Sequence, residues 1–144
     1  MLKVVAPVLL VALAACAAGS ASTQGASGEK QLSEKQQRAL AGRAIGEPIS
    51  CVRNRDIEDT DAITDSVVLF RMRGGKTYRN DLPQSCPRLS SPGTAFSHRS
   101  TMDQLCSGEI IQVFDPVSRF GYGSCTLGKF TPYEVPQDTP RSAQ

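Results

Sequence analysis

The strongest hydrophobic pattern in the chain is a pair of short strand-like runs joined by two glycines. Residues 67–73 (VVLFRMR) and 76–82 (KTYRNDL) flank Gly74 and Gly75. Because glycine accepts the positive φ that tight turns require, this segment is predicted to form a β-hairpin with a two-residue turn.

The predicted register gives the hairpin two different faces. The face expected to point to the core carries Val68, Phe70 and Met72. The opposite face carries a candidate contact surface of basic and aromatic side chains near the turn, namely Arg71, Arg73, Lys76 and Tyr78. Arg71 lies opposite Tyr78 in this register, where a cation–π contact would be worth about 0.5–1 kcal/mol. The alternative interpretation is a solvated edge that meets acidic residues of the same molecule.

A run of acidic residues comes just before the hairpin. It comprises Asp56, Glu58, Asp59, Asp61 and Asp65. Clustered carboxylates suit calcium, but the run lacks the glycine and the bidentate glutamate at the positions that a calcium loop needs. We therefore interpret it as a solvated acidic loop without a metal.

Helical periodicity is confined to one segment. Ser33 and Gln36 fit a capping box at the start of a short helix predicted over residues 33–45. Gly46 and Pro48 follow as stop signals.

The other hydrophobic runs are typical of strands. The strand candidates are residues 49–57, 95–101 and 110–114, followed by a bulged, glycine-rich stretch at 119–131. The β domain is expected to span residues 46–134, and the proline-containing tail, 135–144, is expected to be disordered. The prediction is a mainly β fold, either a small antiparallel sheet or a partly open barrel, with a short N-terminal helix and two disulfides.

The first residues have the pattern of an export signal. Lys3 precedes the uncharged run 4–15, which is too short to span a bilayer as a helix. Leu13-Ala14-Ala15-Cys16 resembles the bacterial lipobox, in which the cysteine is acylated and becomes the mature N-terminus. We expect a lipoprotein signal peptide at 1–15 and a lipidated Cys16 with a flexible linker over 16–32. The alternative is an ordinary signal peptide that contains a cysteine.

The lipobox interpretation also predicts the location and one partner. Two or more acyl chains anchor a protein stably, so the membrane is the first expected partner. Ala17 is not the acidic residue that usually retains lipoproteins in the inner membrane, which favours the periplasmic side of the outer membrane. With 16 basic and 14 acidic residues in the chain, the charge balance does not indicate nucleic acid as a partner.

The four cysteines besides Cys16 are expected to form disulfides: Cys51, Cys86, Cys106 and Cys125. Their wide spacing is not that of a zinc site, in which cysteines usually come in close pairs. If the second hairpin strand and the run at 110–114 are antiparallel neighbours, Cys86 would meet Cys106. Cys51 would then pair with Cys125, and we predict this connectivity among the three that are open.

The sequence contains no recognised catalytic or cofactor-binding motif. His98 is the sole histidine, and Ser97, Ser100 and Asp103 lie near it in sequence. These residues lack the strand–turn–helix nucleophile elbow of hydrolases, and no phosphate-binding glycine loop is present. We therefore expect no cofactor, no metal and no enzymatic activity.

Several short segments carry a resemblance to known proteins, namely Cys51 and residues 76–80 (KTYRN), 85–87 (SCP), 105–111 (LCSGEII) and 125–132 (CTLGKFTP). They resemble a family of small proteobacterial envelope proteins, many of them described as lipoproteins, whose function is not characterised. The resemblance covers about residues 42–133 and implies an exported, mostly β protein. It implies no activity, ligand or catalytic residue. We expect a lipid-anchored module that binds an envelope protein or a cell-wall component, with an inhibitor of a periplasmic lytic enzyme, or a hydrolase, as alternatives.

Overall fold

The computed structural model describes residues 31–99 and 103–136. The predicted signal peptide, Cys16 and residues 16–30 of the predicted linker lie outside the described residues. None of the helices described is long and apolar enough to cross a membrane. The elements are α1 (Glu34–Leu40), β1 (Arg43–Ala44), β2 (Cys51–Arg53), a 3-10 turn (Asn54–Asp56), β3 (Ile57–Thr64), β4 (Val67–Met72), β5 (Thr77–Asp81), β6 (Ala95–His98), β7 (Gln104–Cys106), β8 (Ile110–Phe114), β9 (Gly121–Thr126) and β10 (Phe130–Glu134).

The largest sheet has five strands in the order β1-β10-β5-β4-β3, with every neighbouring pair antiparallel. β4 lies inside this sheet, and its residues 67–70 are buried in succession. Such a run of buried residues is typical of a strand that is covered on both faces. One face is covered by α1 and the other by the main core.

Two smaller sheets complete the β domain. β6, β8 and β9 form a three-stranded sheet, and β2 pairs with β7. The main core contains Val52, Val68, Phe70, Met72, Leu82, Cys86, Leu89, Leu105, Ile111, Val113, Cys125, Leu127 and Phe130. The predicted mainly β fold with a short helix and two disulfides is confirmed, and the described strands form antiparallel sheets that do not close into a barrel.

α1 begins as predicted but ends early. The Ser33 hydroxyl accepts a hydrogen bond from the Gln36 backbone N–H, and the Gln36 side chain accepts one from the Ser33 backbone N–H, which confirms the capping box. The helix ends at Leu40 rather than at residue 45. The reason is that Arg43 and Ala44 pair with the end of β10 and so adopt an extended conformation.

The hairpin is present, but its predicted register is wrong by one residue. Arg71 pairs with Thr77 and Phe70 pairs with Tyr78, so the loop between Met72 and Lys76 has three residues instead of two. The Met72 carbonyl accepts a hydrogen bond from the Gly75 N–H, and Gly74 has a φ of 85°, which its lack of a Cβ permits. Because side chains alternate along a strand, a shift of one residue moves Tyr78 to the core face.

The predicted acidic loop is also wrong, because most of it forms β3. Thr60 pairs with Phe70 and Ala62 pairs with Val68, so the strand supplies one side of the sheet. β3 is an edge strand, and charged side chains are common there because they discourage pairing with other chains.

The two disulfides join Cys51 to Cys106 and Cys86 to Cys125, so the predicted connectivity is wrong. Cys51 and Cys106 are direct partners in the ladder between β2 and β7. The prediction assumed that the second hairpin strand lies beside the run at 110–114. The neighbours of β5 are instead β4 and β10, and β8 belongs to another sheet.

The start of the predicted tail is packed rather than disordered. Val135 contacts the small core beneath α1, together with Tyr133 and Leu69. Residues 137–144 of the predicted tail lie outside the described residues.

Candidate functional site

A groove lies beside α1 on the face of the five-stranded sheet that the helix only partly covers. This α1 groove has a volume of about 690 Å3. Four buried apolar side chains contribute to its lining, namely Ala39, Ile63, Leu69 and Tyr133. The helix has only seven residues, so it covers part of the face and leaves a hollow toward the hairpin turn.

Hydrogen bonds to the sheet hold α1 at the side of the groove. The Tyr133 hydroxyl donates to the Leu40 carbonyl at 2.9 Å, at the end of the helix. The Gln36 side-chain amide donates to the Ile63 carbonyl at 2.6 Å. These bonds tie the helix to both β3 and β10 at this end of the groove.

An ion-pair network forms the β3 side of the groove. Arg71 contacts Asp59 at 2.8 Å and Asp61 at 3.4 Å. Lys35 of α1 contacts Asp61 at 3.1 Å. The network joins the helix to two strands and contains as many cations as anions, so this wall is close to neutral. No group of three or more metal-ligating side chains is placed to hold an ion in the part of the chain described.

The predicted contact surface is divided by the observed register. Arg71, Lys76 and Tyr78 line the groove, and Arg73 does not. Arg71 lies on the groove face of the sheet, whereas Tyr78 packs partly against the main core. The predicted cation–π contact between them is wrong, because Arg71 pairs with the carboxylates of β3. For Arg71 alone, this arrangement matches the alternative, in which a basic residue meets acidic residues of the same molecule.

The turn of the hairpin keeps two cations without partners. Arg73 and Lys76 are exposed, and neither has an ion-pair partner among the residues described. The turn itself is held by backbone hydrogen bonds, from Arg73 N–H to the Asp56 carbonyl and from Met72 N–H to the Lys76 carbonyl, both 2.8 Å. The groove therefore opens at a firmly held basic end.

Next to the groove, Arg79 makes a strong local pair. Its guanidinium donates to the Asp81 carboxylate at 2.7 Å and lies 5.5 Å from the centre of the Tyr133 ring. The hydrogen bond to Asp81 raises the pKa of Arg79 above its usual value. Arg79 therefore lies against the Tyr133 ring beside the groove and keeps its positive charge.

The residues near His98 do not assemble a catalytic group in the described part of the chain. Ser97 and His98 are neighbours on β6, so their side chains point to opposite faces. Asp103 pairs with Arg55 at 3.7 Å. Ser100 lies outside the described residues, and His98 lines neither the α1 groove nor the other cavity described below.

Most residues of the groove were not predicted as site residues, including Lys35, Leu69 and Tyr133. The predicted glycine-rich stretch ended at residue 131, so Tyr133 was not assigned to the strand that forms β10. Phe130 and Tyr133 are the apolar residues that mark this strand, and an interrupted strand pattern at 130–134 would have been the signal.

These features define a small disulfide-linked β protein with a surface groove. The family model described as "Family of unknown function (DUF6491)" matches residues 1–139, and the chain belongs to this family. No curated protein matches the chain. No solved structure matches it either.

Proposed function

We propose that the protein is a lipid-anchored module on the periplasmic side of the bacterial cell envelope that binds a protein partner in the α1 groove. The observation that carries this proposal is the combination of a buried apolar floor with an unpaired basic end. Aromatic and apolar surface flanked by a few charged groups is typical of recognition sites.

The chemistry of the groove indicates the kind of segment it would take. An apolar side chain of the partner would enter above Leu69 and Tyr133 and cover Ile45, which lines the groove and is 58% exposed. A carboxylate of the partner would pair with Lys76 or Arg73. Since the β3 wall is already neutral, the partner gains little from charges placed there. The expected partner is a protein that presents a short apolar segment followed by an acidic residue.

Site-directed photo-crosslinking in intact cells tests this proposal. Thr77 pairs with Arg71, lines the groove and is half-buried, so a photoreactive residue at this position would face a bound segment. Thr60 is an exposed threonine of the same sheet that does not line the groove, and it provides the matched control. A discrete crosslinked protein is expected from position 77 and not from position 60. The same products from both positions would contradict binding in the groove.

The anchor is supported by the run from Leu13 to Cys16 and by the two disulfides, which suit an oxidising compartment. Replacement Cys16→Ser should abolish incorporation of a labelled fatty acid and release the protein from the membrane fraction. A Cys51→Ser variant should keep its label, since Cys51 is bonded to Cys106. Equal labelling of the wild type and Cys16→Ser would contradict a lipid anchor.

The exposed hairpin turn favours a second candidate function, inhibition of a periplasmic lytic enzyme. An inhibitor needs a rigid loop that enters a cleft, and residues 73–76 form an exposed turn held by backbone hydrogen bonds. If the crosslinked partner is a lytic enzyme, Arg73→Glu should weaken its inhibition. A partner whose activity is unchanged by the protein would exclude this function and leave the binding role.

A further inference from the structure

The outer face of the three-stranded sheet carries a second cavity, which shares no residue with the α1 groove. This sheet hollow has a volume of about 810 Å3. Ser97 pairs with Gln112, and Gln112 pairs with Ser124, so three hydrogen-bonding side chains form one row across β6, β8 and β9. All three residues are exposed and line the hollow.

Two arginines border this row. Arg99 follows β6, Arg119 precedes β9, and both line the hollow. Neither has an ion-pair partner within the described ranges, and none of the lining residues is acidic. The sheet hollow is therefore positively charged.

The carboxylate closest to Arg119 in sequence is occupied elsewhere. Asp115 accepts hydrogen bonds from the backbone N–H groups of Ser118, at 3.1 Å, and Val117, at 2.8 Å. These bonds lower the pKa of Asp115. Its charge stabilises the β8–β9 turn, so Arg119 remains free to bind a ligand.

The backbone of this turn sets the position of Arg119. Its φ is 60°, in the left-handed region that non-glycine residues seldom adopt, and its N–H donates to the Asp115 carbonyl at 2.8 Å. Such conformations persist where the surroundings enforce them, and they are concentrated at functional sites.

The lining between the two arginines is open and partly apolar. A Cβ built on Gly121 or Gly123 would meet no atom within 4 Å, so a ligand could approach the backbone of β9 there. Phe114 and Pro116 line the same hollow, and Phe114 is half-buried. The surface thus combines a polar row, an apolar patch and two cations.

We propose that the sheet hollow binds a carboxylate-bearing glycan. A guanidinium pairs with a carboxylate through two parallel hydrogen bonds, which suits Arg99 and Arg119. The side chains of Ser97, Gln112 and Ser124 can donate to and accept from sugar hydroxyls. Phe114 and Pro116 offer apolar surface to the faces of sugar rings. A simple anion would use the arginines and leave the polar row without a role.

Calorimetric titration of the full-length protein in detergent tests the proposal. The probes are a tetrasaccharide of alternating N-acetylglucosamine and N-acetylmuramic acid, and chitotetraose, which has the same backbone without carboxylates. The charged glycan is expected to bind at least tenfold more tightly. The double variant Arg99→Gln/Arg119→Gln should remove this difference in affinity. Gln112→Ala should weaken the binding of both glycans. The matched control is Arg53→Gln, because Arg53 is exposed on β2 and lies outside the hollow.

Four results would overturn the proposal. The first two are equal affinity for the two glycans and unchanged glycan binding by the double variant. The third is that tetraglutamate, a carboxylate-bearing peptide without sugars, binds equally tightly at the same residues. The fourth is that no binding is detected at millimolar glycan. Because the hollow and the groove are separate, Thr77→Arg should bind the charged glycan like the wild type. This control separates failure of the glycan site from failure of the proposed protein-binding function.

Discussion

Asn80 is a buried polar residue whose side chain joins two parts of the main core. It is 0% exposed on β5, and its amide donates to the Gly128 carbonyl at 2.9 Å and accepts from the Gly128 N–H at 2.8 Å. Gly128 has no room for a side chain, since a Cβ there would collide with the backbone of Asp81. The residue pair therefore replaces backbone pairing just before β10.

We expect Asn80→Ala to destabilise the protein by about 2–3 kcal/mol, because it leaves both backbone groups of the half-buried Gly128 without their partners. Chemical denaturation with the disulfides intact measures the change. Gln112→Ala removes an exposed amide and should cost less than about 0.5 kcal/mol. A loss for Asn80→Ala as small as this control would contradict the role of Asn80.

Sequence patterns were least informative for buried polar residues such as Asn80, whose partners are distant in sequence. The composition of residues 76–82 indicated a strand, but no local pattern marks Asn80 as buried, because its partner lies 48 residues away. The capping box at Ser33 was predictable, because its two residues are close in sequence and interact within one helical turn.

The β4–β5 hairpin was predictable from the local sequence pattern, but its register was not. Two glycines between strand-like runs predicted the hairpin, since both have the positive φ that a tight turn uses. The pattern did not determine whether Arg73 belongs to the strand or to the loop. The contacts of Arg71 with Asp59 and of Tyr78 with the core favour the three-residue loop, and these contacts lie outside the hairpin itself.

The disulfides provide a test of the element arrangement. Cleavage after lysine and arginine places each cysteine on its own peptide: 44–53, 80–88, 100–119 and 120–129. Mapping without reduction should find 44–53 linked to 100–119 and 80–88 linked to 120–129. Each bond closes a long loop, for which chain entropy alone gives roughly 4 kcal/mol of stabilisation. A peptide joining Cys51 to Cys125 or to Cys86 would contradict the pairing of β2 with β7.

At the scale of the whole molecule, the sheet order could not be predicted, because it depends on the chain coming back after β9 to pair with strands that are distant in sequence. After β9, residues 127–129 lead into β10, which pairs with β5 and β1 rather than with a strand near it in sequence. The same return places Tyr133 on the groove face under α1. The mainly β class and a basic turn were predictable from local patterns, whereas the groove needed this long-range pairing.

The most direct test of the proposed function is the affinity of purified protein variants for the partner that is crosslinked by the photoreactive residue at position 77. Thr77→Arg should weaken binding at least tenfold, because its long charged side chain would occupy the groove. Thr60→Arg and His98→Ala should bind like the wild type, since neither residue lines the groove. Unchanged affinity of Thr77→Arg, or a loss of binding from His98→Ala with the fold intact, would contradict recognition through the α1 groove.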